Sequence, residues 1–122
     1  MREVKILFID KDLSNFKVLQ VILDLMVQPI HEFRVKCFFS NDFEVKEEEI
    51  DLVVVGMGHL EDHPQGFNDL KKSVGVDKII GCSCFLSNRE RAQALGIGFV
   101  SRAKDLEETV MEIIALIQKL QP

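Results

Sequence analysis

The chain has 122 residues, Lys+Arg 15 against Asp+Glu 20 and a formal net charge of −5, with 47% hydrophobic and 29% charged residues. That length suits one domain, residues 1–122, with a real core; the balance excludes intrinsic disorder, and an acidic chain with no basic run lacks the footprint for nucleic acid or an anionic membrane. Three cysteines make no disulfide framework, and the first apolar run stops at Asp10, short of a signal-peptide core or spanning helix, so a cytoplasmic protein is expected.

Strand and helix signals then alternate. Val4-Lys5-Ile6-Leu7-Phe8-Ile9 is a short run of branched and aromatic side chains, the pattern of a strand buried on both faces. From 13 to 26, Phe16, Leu19, Leu23 and Met26 recur at helical spacing, and Pro29 closes the segment. Residues 35–39 form the second strand signal and 41–49 a short, weaker helix that runs into the solvated Glu47-Glu48-Glu49. A third strand follows at 52–55, a short helix at 67–73 and a fourth strand at 78–82. Ser87-Asn88-Arg89-Glu90 has the spacing of a capping box opening a helix that ends at Gly96. After a brief fifth strand at 98–100, Asp105-Leu106-Glu107-Glu108 opens the last helix, with Asp105 as cap and acids at the positive end. Leu106, Val110, Ile113, Ile117 and Leu120 give it one apolar face.

Short parallel strands need helical crossovers, and right-handed crossovers place helices on both faces. The prediction is α/β: a doubly wound, five-stranded parallel sheet of order 2-1-3-4-5 in a flavodoxin-like three-layer sandwich. Ligands in such folds sit beyond the carboxyl ends of the strands, next to the switch point between strands one and three. The residues there are Asp10-Lys11-Asp12, Gly56-Met57-Gly58, Ser83-Cys84 and Ser101-Arg102.

In order and spacing, these pieces resemble the receiver domains of bacterial two-component response regulators, over nearly the whole chain. Residues 5–10 resemble the opening strand and first acid of the family's acidic pair, and 51–55 the strand that delivers the phosphoacceptor aspartate. Ser83 falls at the switch Ser/Thr, 91–96 resemble the helix and glycine before the fifth strand, and Phe99-Val100-Ser101-Arg102 the aromatic-apolar-Thr-Lys segment. The departures bear on function. Gly56 stands at the phosphoacceptor, Lys11 at the second acid, Arg102 at the lysine and Ala103 at the proline after it.

Family phosphoryl transfer needs a carboxylate nucleophile, Mg²⁺ on oxygen ligands and a cation for the developing charge. Gly56 supplies no nucleophile, and Lys11 puts a positive charge where a cation would bind; Asp10 and Asp12 would hold Mg²⁺ only weakly. An ion pair of Asp10 with Arg102 or Lys11 is expected in place of metal and phosphate, since an unpaired, partly buried charge is costly.

Rival sites are weaker. Cys82 and Cys84 lie two apart with no histidine near, so packing is favoured over thiol or zinc chemistry. His59 and His63 fall in a Gly- and Pro-punctuated stretch expected to be a loop, where their i, i+4 spacing prepares no metal site. His31 is expected at the surface. Gly96-Ile97-Gly98 lies between helix and strand, the reverse of a dinucleotide loop, and the carboxylates of Asp10 and Asp12 would repel a phosphate.

The last helix adds Met111, Ile114 and Leu116 around its circumference, either as broad core contact or as a docking surface. The resemblance implies a signalling-protein partner, or a second copy in a homodimer, on the face of the fourth helix, fifth strand and fifth helix. Arg89, Phe99, Arg102, Met111 and Ile114 are the contact residues expected there. Together these features predict a pseudo-receiver: a non-enzymatic signal-transduction module without cofactor, acting by protein–protein contact. The alternative is a flavodoxin-like enzyme or small-ligand-binding protein using Asp10, Ser83 and Cys84.

Overall fold

A computed structural model describes residues 2–27, 33–102 and 105–120; Pro29, His31 and Ala103, singled out above, lie outside them. The elements run β1 (Arg2–Ile9), α1 (Ser14–Val27), β2 (Phe33–Ser40), β3 (Leu52–Gly56), α2 (Met57–Asp62), α3 (Pro64–Val74), β4 (Ile79–Ser83), α4 (Asn88–Ala94), β5 (Gly98–Ser101) and α5 (Leu106–Leu120). The five strands form one parallel sheet in the order β2-β1-β3-β4-β5, the predicted order.

Strand alternation divides the core into two layers. Val4, Ile6 and Phe8 of β1 meet Phe16, Leu19 and Leu23 of α1 and Val110, Ile113 and Ile117 of α5 on one face of the sheet. Leu7 and Ile9 join Leu60 of α2, Phe67 and Leu70 of α3 and Ala92 of α4 on the other. Every residue of β3 and β4 is buried, which is why those segments read as unbroken apolar runs rather than as an alternation. At the lower end, Asp51 accepts the Lys5 backbone N–H at 2.9 Å and pairs with Arg2 at 3.1 Å, fixing the register of β1 on the residues that lead into β3.

Five expectations are corrected. No helix forms over 41–49. Asp42 takes the Glu44 N–H at 3.0 Å and Ser40 Oγ takes the Asp42 N–H at 3.2 Å, and such local bonds offer the backbone an alternative to helix. The segment 57–62, expected as loop, is instead α2, and the helix expected at 67–73 begins earlier, with Pro64 in its first turn. The capping box does not close: Ser87 has helical dihedrals and no side-chain capping bond. Finally, Ile114 is 6% exposed and belongs to the core cluster shared with α1, so this one of the expected contact residues is core, while Met111 stays exposed. Asp105, by contrast, caps α5 as expected, accepting the Glu108 N–H at 2.9 Å.

Candidate functional site

The carboxyl ends of β1, β3, β4 and β5 open on a cleft of about 470 Å³ whose lining includes Asp10, Gly56, Ser83, Cys84, Asn88 and Arg102. It lies at the predicted switch point. Gly56 is the last residue of β3, with φ −62° and ψ 127°, ordinary extended backbone that any residue adopts. Its lack of a side chain matters for space. A Cβ on residue 56 would lie within 2.6 Å of both oxygens and the Cγ of Asp10. The Asp10 carboxylate, carried by β1, occupies the volume that a β3-tip side chain would fill.

Asp10 is held there by backbone. Its Oδ1 accepts the Lys11 amide N–H at 2.7 Å, while Asn41 Nδ2 donates to the Asp10 carbonyl at 3.0 Å and to that of Lys11 at 3.2 Å. The expected ion pair is absent: among the described residues no cation lies within 4.0 Å of the Asp10 carboxylate. The Lys11 ammonium stands on an exposed residue, and only its amide serves Asp10. The Arg102 guanidinium lies 5.5 Å from the centroid of the buried Phe16 ring, within cation–π range, and its Nε is buried without a hydrogen-bond partner. A cation resting on an apolar ring fills the place where a Coulombic partner for Asp10 was expected.

Asp12 engages the start of α1, with the Arg102 charge near enough to act on its carboxyl. Its Oδ1 accepts both the backbone N–H, at 3.0 Å, and the hydroxyl of Ser14 at the start of α1. The Ser14 hydroxyl first, then its amide, hold the Asp12 carboxyl below its ordinary range. The oxygen donors present do not fit the divalent ion that the family resemblance implies. Asp10 lies across Gly56 with Oδ1 engaged, Asp12 caps α1, and among the described residues no group of three or more His, Cys, Asp or Glu is placed to hold a metal.

On the far wall, Ser83 is buried, and its Oγ accepts the Phe85 N–H at 3.0 Å and the Asn88 Nδ2–H at 2.7 Å. Asn88 Oδ1 in turn accepts from Arg91 Nη1 at 3.1 Å, and Arg91 Nη2 pairs with Glu61 Oε2 of α2 at 2.9 Å. This chain from β4 through α4 to α2 is the use to which Asn88 is put in place of a capping box. Cys82 packs in the core, its thiol pushed up to about 12 by burial, whereas Cys84 is exposed at the cleft and does not join that packing. His59 and His63, on α2 and just beyond it, bond to the carbonyls of Asn41 at 2.7 Å and His59 at 2.9 Å. The Phe43 ring stacks on His59 with centroids 5.0 Å apart, so both imidazoles fasten the β2–β3 connection to the helical layer.

Of the expected docking residues, Met111 is 59% exposed, and the Arg89 guanidinium covers the half-buried Phe99 ring at 5.3 Å. Sequence reasoning missed a different surface. Val18, Val21 and Leu25 on the outer side of α1 are 48%, 59% and 71% exposed, and their spacing of three and four residues was the available signal.

No protein-family model matches the chain, and the search of curated proteins found no match. Solved structures do resemble it. A two-component response regulator from Clostridium difficile superposes with a TM-score of 0.69 at 15% identity, covering 98% of this chain and 99% of that one. The signal receiver domain of an HD domain-containing protein from Pseudomonas fluorescens Pf-5 superposes with a TM-score of 0.68 at 18% identity, covering 98% of this chain and 90% of that one. Such likeness at such identity speaks for architecture: the chain has the flavodoxin-like fold of response-regulator receiver domains.

Proposed function

We propose that residues 1–122 form one receiver-like signalling domain, of the two-component or phosphorelay type, that works as a pseudo-receiver. It engages another protein without aspartyl phosphorylation and catalyses no reaction. The observation that carries this is the Asp10 carboxylate lying across Gly56. At the strand tip where the resemblance puts the phosphoacceptor there is no nucleophile, and the neighbouring acid occupies the space. The switch-position hydroxyl of Ser83 is already engaged by Phe85 and Asn88, which supports one held conformation rather than two. Asp10, Lys11, Asp12, Gly56, Ser83 and Arg102 are thus the remnant of a phosphorylation pocket, needing no cofactor.

Its partner is a signalling protein, or a second copy, on the α4, β5 and α5 face through Arg89, Phe99, Arg102 and Met111, in the cytoplasm. Among the described residues no helix is long and apolar enough to cross a membrane. The test is incubation with acetyl phosphate and Mg²⁺, followed by intact mass and by amide shifts around Asp10 and Ser83. Unchanged mass and unmoved amides are expected. Incorporation of a phosphoryl group, or saturable micromolar shifts at both places, overturns the proposal.

A second reading draws on one observation, that Asp10, Ser83 and the exposed Cys84 line the same cleft. A flavodoxin-like enzyme or ligand-binding protein would show a Cys84 that outpaces a free thiol toward an electrophilic probe. Ordinary thiol reactivity leaves the interaction module standing.

A further inference from the structure

α1 is apolar on two opposite sides. Phe16, Leu19, Leu23 and Val27 are buried against the sheet, while Val18, Val21 and Leu25 form a continuous outward stripe. A surface helix ordinarily turns charged and polar side chains outward. Lys17 and Asp24, both exposed, flank the stripe two helical turns apart, the cation toward the N-terminal end and the acid toward the C-terminal end.

We propose that this face docks a second copy of the same chain, the two α1 helices packing antiparallel across a two-fold axis near Val21. The arrangement follows from charge and register. In an isologous contact each patch meets itself, so residue i facing j requires j facing i. With the axis close to Val21, Val18 comes within one residue's rise, about 1.5 Å, of the level of Leu25 of the second copy, and Lys17 within the same of Asp24 of the second copy, twice over. A parallel pairing would set Lys17 on Lys17 and Asp24 on Asp24. The stripe is self-complementary in one direction only.

The monomer leaves both charges available. Among the described residues, no cation lies within 4.0 Å of Asp24. Arg34 lines the same hollow as Asp24 without an ion pair to it. Partial burial holds the Asp24 carboxyl above its ordinary range. Lys17 Nζ lies 5.9 Å from the Phe39 centroid, at the edge of cation–π range, and among the described residues it makes no ion pair. This face is separate from α4 and β5, and the inference stands whether or not residue 56 accepts phosphate.

A single helix face buries less than the roughly 800 Å² per partner of a standard stable interface, so the dimer is weak, with a dissociation constant on the order of 100 μM. Sedimentation velocity from about 10 μM to 1 mM, concentrations bracketing that constant, tests it. The wild type is expected to pass from monomer to dimer, with concentration-dependent amide shifts confined to 17–25. Val21→Glu, at an exposed position, is expected to stay monomeric with an unchanged far-ultraviolet spectrum. Lys17→Glu and Asp24→Lys are each expected to weaken association roughly three- to tenfold, and the double change to restore it to within about twofold. A wild type that stays monomeric throughout overturns the proposal. So does a Val21→Glu chain that dimerises normally, a double variant no tighter than the singles, or shifts that map to α4 and α5 instead.

Discussion

Whether Asp10 truly occupies the side-chain space of residue 56 can be read from a double-mutant cycle on Gly56→Ala and Asp10→Ala. The backbone of residue 56 suits alanine, so Gly56→Ala alone should gain about 0.4–1 kcal/mol by restricting the unfolded chain. Against that, the new Cβ would sit within 2.6 Å of the Asp10 carboxyl and must displace it. The bond from the Lys11 amide to Oδ1, 2.7 Å long, is then lost; bonds to charged acceptors are worth about 1.5–3 kcal/mol, less at a partly solvated site. The single change should therefore destabilise by about 1 kcal/mol, the smaller entropic gain being outweighed. Asp10→Ala forfeits the same bond, but it also removes the obstacle. In the double variant the collision is gone while the backbone gain remains, so the two changes should couple favourably by about 1–2 kcal/mol. The chain contains no Trp or Tyr, so urea unfolding is followed by circular dichroism rather than intrinsic fluorescence. Additivity within about 0.3–0.5 kcal/mol would refute the steric argument, because distant, independent sites behave that way.

Ser83→Ala removes the acceptor shared by Phe85 and the buried Asn88 amide, and should lower stability by about 1–3 kcal/mol in the same urea assay; an unchanged midpoint would show the network to be dispensable. Titration with an aromatic disulfide at pH 8 should find one reactive thiol, Cys84, in the native protein and three after unfolding. Cys37 and Cys82 are pushed up to about 12, chiefly by burial, so both stay protonated and unreactive until the fold opens. Asp24→Asn, assayed at low micromolar concentration where the chain is monomeric, should raise the melting temperature at pH 7 and leave it unchanged at pH 3. The Asp24 pKa is higher folded than unfolded, so its contribution is most favourable below the carboxylate range and declines as pH rises through it. A variant that melts lower than wild type at pH 7 would contradict that sign.

The sheet was legible because its central strands are buried on both faces and therefore spell uninterrupted apolar runs, each stopped by Asp, Gly or a small polar residue. The cap at Asp105 was legible for a local reason: one side chain and one amide three residues on decide it. Failures came where a distant partner outbid local preference. Ser87 and Glu90 have the capping-box spacing, yet Asn88 is claimed by Ser83 from the end of β4, and the helix starts around that bond instead. Phe43 gives 41–49 a hydrophobic anchor; what it anchors to is Gly66 of α3, where a Cβ would stand 2.7 Å from the ring's Cγ, and the connection lies down there without coiling. The His59 segment looked like loop because Gly56, Gly58 and Pro64 punctuate it, but Met57 and Leu60 bury one face, and six residues of helix suffice. No pattern along the chain could place the Asp10 carboxylate over Gly56, since that depends on how two non-adjacent segments approach in the parallel pairing of β1 with β3.

That approach also explains why the pocket departs from its resemblance at several residues together. A strand tip without a side chain leaves a hole between β1 and β4, and the nearest group able to fill it is the acid at the end of β1. Once Asp10 lies there, it cannot also face outward beside Asp12, and Asp12 is free to cap α1 through Ser14. A second acid at position 11 would then add only repulsion, whereas lysine supplies the same backbone amide to Oδ1 with its charge in solvent. Returning an aspartate to position 56 would not reverse this. Its Cβ meets the resident carboxylate, and two carboxylates about 4 Å apart repel by about 1–4 kcal/mol for effective dielectrics of 80 down to 20, with no cation within 4.0 Å among the described residues to relieve them. What fills the tip of β3 is occupied volume rather than an ion pair, and occupied volume, unlike an ion pair, is indifferent to ionic strength.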